Sequence, residues 1–246
     1  MSGHSKWANI KNKKAKTDAA KGKIFTKIGR ELAVAAKAGT DPSTNSKLAD
    51  VIAKAKAANM PNDNITRSIK KAAGELGNVN YEVKTYEGYG IGGSAVIVKT
   101  LTDNVNRTVG EVRHIFDKYA GNMGTTGSVS YMFENLGVII IERTVELDED
   151  TMMEIALECG ADDVIVLDDI YEVRTQPGDF SSVRKYLEEK GIEFVEADIQ
   201  MVPNDKIELN QDQLTTFEKM LDAFEDNDDV QDVYHNVNLP EEDEEE

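Results

Sequence analysis

At Gly74 the hydrophobic period of this chain changes from the roughly 3.6 residues of an amphipathic helix to the two of a half-buried strand, so it must build at least two kinds of layer. Before that point Ile24, Phe25, Ile28, Leu32, Ala35 and Ala36 recur at helical spacing, with Thr17 or Asp18 as N-cap and Gly39 as the stop. A second helix is predicted over 44–58, with Leu48, Val51, Ile52 and Ala55 on one face, and a third follows Pro61-Asn62 and carries Ile65 and Ile69. Three short helices with tight connections make a small bundle. Residues 1–16 have no period and read as a basic arm.

After Gly74 the alternation predicts strands over 81–86 and 95–100 joined by a glycine-rich turn. A helix over 105–119 with Val109, Val112, Ile115 and Phe116 apolar comes next, then a strand over 128–133, which gives ββαβ. From Gly137 the order is βαββαβ: strands over 138–141, 164–167, 171–174 and 193–202, with helices over 151–158 and 180–189. That is a split-βαβ, ferredoxin-like unit. Beyond Pro203 there is a short strand near Ile207, a helix over 211–224 carrying Leu214, Phe217, Leu221 and Phe224, and a strand over 230–237. This piece is too small to stand alone and most simply completes the sheet begun at Tyr81. The expected fold class is therefore multidomain α+β. Residues 1–76 form the basic arm and three-helix bundle, 77–136 plus 204–238 a middle α+β domain, and 137–203 an inserted ferredoxin-like domain. Residues 239–246 are a self-repelling acidic tail expected to be disordered.

Charge is segregated along the same division. The whole chain carries −18, which by itself argues against a nucleic-acid partner, but residues 1–73 hold sixteen Lys and Arg against five acids, a net of +11, and the remainder carries −29. A polyanion is the partner such a basic segment fits, while the acidic remainder repels nonspecific polyanions and serves to orient the molecule or recruit a protein partner.

Within the basic segment, Lys16, Lys23, Lys27, Arg30 and Lys37 fall within about 80° of arc at 100° per residue, opposite the apolar face centred near Ile28. The arm adds Lys6, Lys11, Lys13 and Lys14 around Trp7, the only tryptophan. That indole is suited either to stacking on a base or to anchoring in a protein groove.

Other chemistry is sparse. Cys159 is the only cysteine, so no intramolecular disulfide forms, and His4, His114 and His235 are too scattered for a metal cluster; no metal or cofactor is expected. No apolar run approaches the ~18 residues of a membrane span and no signal-peptide core is present, so a cytoplasmic protein is expected. Gly88-Tyr-Gly90-Ile-Gly-Gly93 matches G-x-G-x-x-G in form, yet a strand follows it rather than a helix, which makes it a hairpin turn and not a dinucleotide site. Asn104, Asn106 and Arg107 open the next helix and either cap it or form a secondary anion site. His114, in the middle of that helix, reads as a packing residue. Nothing resembles a nucleophile–base pair, and an anion-binding enzyme rests only on the glycine turn and the Asn/Arg cluster.

The opening MSGHSKWANIK, the stretches KGKIFTKIGREL and NMPNDNITRSIKKA, then GYGIGGSA, TDNVNRT with EVRHIF, and GNMGTTGSVSYMF occur in order over nearly the whole chain. Together they resemble the YebC/PmpR family. The resemblance implies a helical N-terminal domain and two α+β domains, one inserted in the other, in probable DNA-binding transcriptional regulators whose mitochondrial relatives are translational activators of cytochrome c oxidase. Asn12, Ile91 and Val105 depart from the family's usual His, Pro and Arg. A start at the family motif itself, without extension, implies a bacterial-type protein lacking a transit peptide. The function expected is a non-enzymatic, DNA-binding transcriptional regulator. A ribosome-associated factor that binds structured RNA is the alternative, since the same lysines serve both.

Overall fold

The computed structural model describes residues 18–73 and 80–240. Helix α1 (Asp18–Ala36), α2 (Ser46–Ala57) and α3 (Asn62–Ala73) come first. Ile28, Leu32, Leu48, Val51, Ala55 and Ile65 from all three converge on one buried cluster with Met60 of the α2–α3 connection. The turn before α2 is fixed by polar chemistry. Asn45 accepts from the Leu48 N–H at 3.1 Å as N-cap, and its amide donates to the carbonyls of Ala35 and Gly39 at 2.8 and 2.7 Å, closing the end of α1 onto the start of α2. A Cβ on Gly29 would stand 3.3 Å from Ser68 Oγ, so α1 and α3 approach closely at that point.

The bundle clusters with residues 135–200 as one compact unit. That segment contains most of β4 (Phe133–Glu142), then α5 (Glu149–Cys159), β5 (Asp163–Val166), β6 (Ile170–Thr175), α6 (Phe180–Glu189) and most of β7 (Glu196–Pro203). The strands lie in the order β5-β6-β4-β7, with β6 antiparallel to both neighbours. Ile139, Ile141, Tyr171 and Val173 pack beneath Met152, Ala156, Val183 and Leu187 of the two helices. Bundle and sheet domain are tied by charge. Arg184 on α6, 5% exposed, donates from Nε to Asp50 on α2 at 2.8 Å, and Ser181 donates to the other oxygen of that carboxylate. Lys54 bridges Glu31 of α1 at 3.1 Å and Asp198 of β7 at 2.6 Å.

The described residues of the second unit are 80–134 and 201–240. β1 (Glu82–Tyr89) and β2 (Ala95–Thr102) form an antiparallel hairpin, and α4 (Val105–Lys118) and β3 (Asn122–Met123) follow. α7 (Gln211–Glu225) leads to β8 (Val230–His235), which pairs antiparallel with β2 and gives the order β3-β1-β2-β8. One face of this sheet packs Val96 and Val98 against Val112 and Phe116 of α4 and Phe217, Met220 and Phe224 of α7. The other face buries Ala95 and Ile97 with Val129 and Phe133.

Three expectations are corrected. The strand expected over 128–133 does not form: Ser130–Met132 is a short 3-10 turn and Phe133 already begins β4. The reason is that the Glu87 carboxylate takes the N–H groups of Gly127, Val129 and Ser130 at 2.8 to 2.9 Å, leaving them unable to join a ladder. His114 is exposed on α4 and does not pack. The segment near Ile207 is a single bridge to Val237 rather than a strand. Among the described residues no helix is long and apolar enough to cross a membrane, and no group of His, Cys, Asp and Glu could hold a metal ion.

Candidate nucleic-acid interface

Helix α1 turns Ile28, Leu32 and Ala35 into the bundle core, each at most 4% exposed, which fixes the rotation of the whole helix. Its opposite side then carries the cations: Lys23 and Lys37 exposed, Lys27 and Arg30 half-buried. The remaining members of the expected surface, Lys6, Trp7, Lys11, Lys13, Lys14 and Lys16, lie outside the described residues, as do Thr17 and the acidic run 241–246.

Three acids of the bundle have partners of their own. Glu31 is held by Lys54, Asp50 by Arg184, and Asp41 accepts from the backbone and hydroxyl of Ser43, which hold its carboxyl below the usual range. Arg67, Lys70 and Lys71 on α3 extend the basic surface. All three are exposed, opposite the buried Ile65. Their spacing of three and four residues puts them on one helix face. Sequence reasoning counted their charge without placing them, although that spacing, set against Ile65 and Ile69, was the signal available.

Between α1 and α3 runs an open groove of about 240 Å³ lined by Phe25, Thr26, Met60, Asn64, Arg67 and Ser68. It was not foreseen, because its walls come from two helices whose close approach depends on Gly29.

The residues at the start of α4 are engaged differently. Asn104 accepts from the Arg107 N–H at 3.1 Å and caps the helix. The Arg107 guanidinium reaches Asp103 at 2.8 Å and the nearly buried Asp229 at 2.7 Å; hydrogen bonds to these carboxylates push its pKa further up. Asp229 also accepts from Thr102 and Thr108 at 3.0 and 2.8 Å. At this helix start Asn104 is the cap and Arg107 is paired with two carboxylates, and Asn106 is exposed beside them. The glycine motif is a tight connection between β1 and β2. Gly92 and Gly93 have φ of 68° and 78°, and a Cβ on Gly90 would lie 2.9 Å from Met220.

Residues 5–75 match the family described as TACO1/YebC protein N-terminal domain, and residues 81–237 match TACO1/YebC second and third domain. A probable transcriptional regulatory protein of Hathewaya histolytica is 58% identical over 242 residues, covering 98% of each chain. Another protein of that description, from Acetivibrio thermocellus, is 60% identical over 96% of this chain and 98% of its own. The crystal structure of a conserved hypothetical protein from Aquifex aeolicus superposes with a TM-score of 0.81 at 41% identity, covering 94% of this chain and 96% of that one. With matches that run from the basic bundle to the last strand, the chain belongs to the TACO1/YebC family.

Proposed function

We propose that this protein is a non-enzymatic regulator of gene expression that holds nucleic-acid phosphates on the basic faces of α1 and α3, with the arm around Lys6 to Lys16 as a further contact. The observation that carries the reading is the placement of Lys23, Lys27, Arg30 and Lys37 opposite the buried face of α1, with Arg67, Lys70 and Lys71 exposed on α3. Duplex DNA is the preferred target because relatives more than half identical are named probable transcriptional regulatory proteins. Structured RNA, as in a ribosome-associated factor, is the second reading. It is favoured by the scarcity of base-reading side chains on the basic face of α1, since phosphate contacts position a protein without conveying sequence. The three-domain division at 1–76, 77–136 with 204–238, and 137–203 belongs to the same proposal. It is supported by the strand order β5-β6-β4-β7, which a ferredoxin-like insertion requires, and by the return of β8 to β2. A cytoplasmic location follows from such a target.

The decisive experiment is crosslinking in cells followed by sequencing of both DNA and RNA. Promoter peaks support the DNA reading and ribosomal RNA footprints support the RNA reading. Absence of both, with no binding of the purified protein to duplex DNA or structured RNA at 0.15 M salt, would overturn the proposal.

A further inference from the structure

The groove between α1 and α3 has the chemistry of a site for one ring system. Phe25 offers a half-buried aromatic face, and Met60, 6% exposed, a polarisable apolar floor. Thr26 turns its hydroxyl back to the Gly22 carbonyl at 3.0 Å and leaves its methyl to the wall. The other three lining residues behave differently: among the described residues, the side chains of Asn64, Arg67 and Ser68 have no hydrogen-bond or ion-pair partner in the chain. An amide, a hydroxyl and a guanidinium thus converge on one apolar-floored groove without being used internally. At about 240 Å³ it lies just below the roughly 300–1,000 Å³ of sites for drug-sized ligands, so it suits a single planar group rather than a dinucleotide. Its rim is cationic, since Arg30 follows Thr26, and Lys71 follows Arg67, by one helical turn on the same face.

From this we propose that the groove is a pocket for one unpaired nucleobase, stacked against Phe25, with its edge on Asn64 and Ser68 and its phosphate on Arg67. The inference rests on the nucleic-acid reading above and sharpens it. An amide presents a donor and an acceptor side by side, which matches a base edge that does the same, such as N6 and N7 of adenine. A base inside a duplex has both faces covered by its neighbours, so only an unpaired or extruded base can enter. Duplex binding therefore uses the helix faces alone, and a single strand uses the faces and the groove.

The test uses the full-length protein and fluorescence anisotropy with adenine-containing single-stranded RNA, single-stranded DNA and duplex DNA, each of about 12 nucleotides. Phe25→Leu keeps the apolar packing and removes the aromatic face; Asn64→Ala with Ser68→Ala changes only side chains that make no internal hydrogen bond. Single-strand affinity should fall about 5- to 100-fold in each variant, from a lost base stack in Phe25→Leu and from two lost hydrogen bonds in the double variant, with duplex affinity unchanged within error. The RNA and DNA arms identify which strand supplies the base. Should Phe25→Leu disturb the fold by circular dichroism, the double variant decides alone. Equal losses on duplex and single strand, or no loss on either, overturn the pocket. Wild-type binding to duplex but to neither single strand also overturns it, and leaves the proposed function standing. No binding to any of the three at 0.15 M salt defeats that function itself.

Discussion

Glu87 on β1 is 5% exposed, and three backbone N–H groups from the 127–130 loop converge on its carboxylate. Burial alone would raise its pKa, but these hydrogen bonds outweigh it and hold the carboxyl below its ordinary value. Because the folded pKa is depressed, the stabilisation is present above the unfolded value of about 4.3 and is lost as pH falls through the lower folded value. Glu87→Gln keeps the shape with one acceptor oxygen fewer and no charge, and should cost about 1–3 kcal/mol at pH 7. The gap from the parent should narrow below about pH 4. Urea unfolding at the two pH values checks both, and a gap independent of pH would refute the assignment. The neighbouring Gly88 is a second sensitive residue, since a Cβ there would stand 2.6 Å from the Asn122 carbonyl oxygen and 3.0 Å from Phe116. As a backbone oxygen of β3 cannot swing away, Gly88→Ala should destabilise by about 1–3 kcal/mol, read as a lowered Tm.

At the scale of the element, α1 is the helix whose chemistry and packing separate most cleanly. Changing Lys23, Lys27 and Arg30 together to Gln leaves Ile28 and Leu32 in the core, and Gln sustains a helix about as well as Lys or Arg. If all three neutralise phosphates, the slope of log K against log salt on duplex DNA should become shallower by about 0.9 per contact, near 2.7 in all. A change below about 0.9 with intact circular dichroism would restrict the helix to one contact and move the binding surface to α3 and the arm. The α1 face was legible from sequence because its 3.6-residue period separates cations from apolar residues within one continuous segment. The expected strand at 128–133 failed for the opposite reason. Its alternation is real, with Val129 and Phe133 both buried, but the fate of its N–H groups was decided by a glutamate some forty residues earlier.

The whole molecule joins its bundle to the β4–β7 domain through side chains distant in sequence. Arg184→Ala would leave the Asp50 carboxylate, 19% exposed, without its guanidinium partner and should destabilise that unit by about 3 kcal/mol, whereas the exposed Lys185→Ala should be close to neutral. Differential scanning calorimetry of both variants checks the contrast, and equal effects would mean that Asp50 and Arg184 do not hold bundle and sheet domain together. Periodicity and local charge, which act over a few residues, determined the helices, most of the strands, the βαββαβ order from β4 to β7 and the basic character of the first 73 residues. They could not place what depends on distant partners: the Arg107–Asp229 pair at the start of α4, the Asp50–Arg184 and Lys54–Asp198 ties, and the groove lined by Phe25, Asn64 and Ser68. Each joins residues whose separation along the chain carries no periodic signal, so only the packing of finished elements brought them within hydrogen-bonding or van der Waals reach.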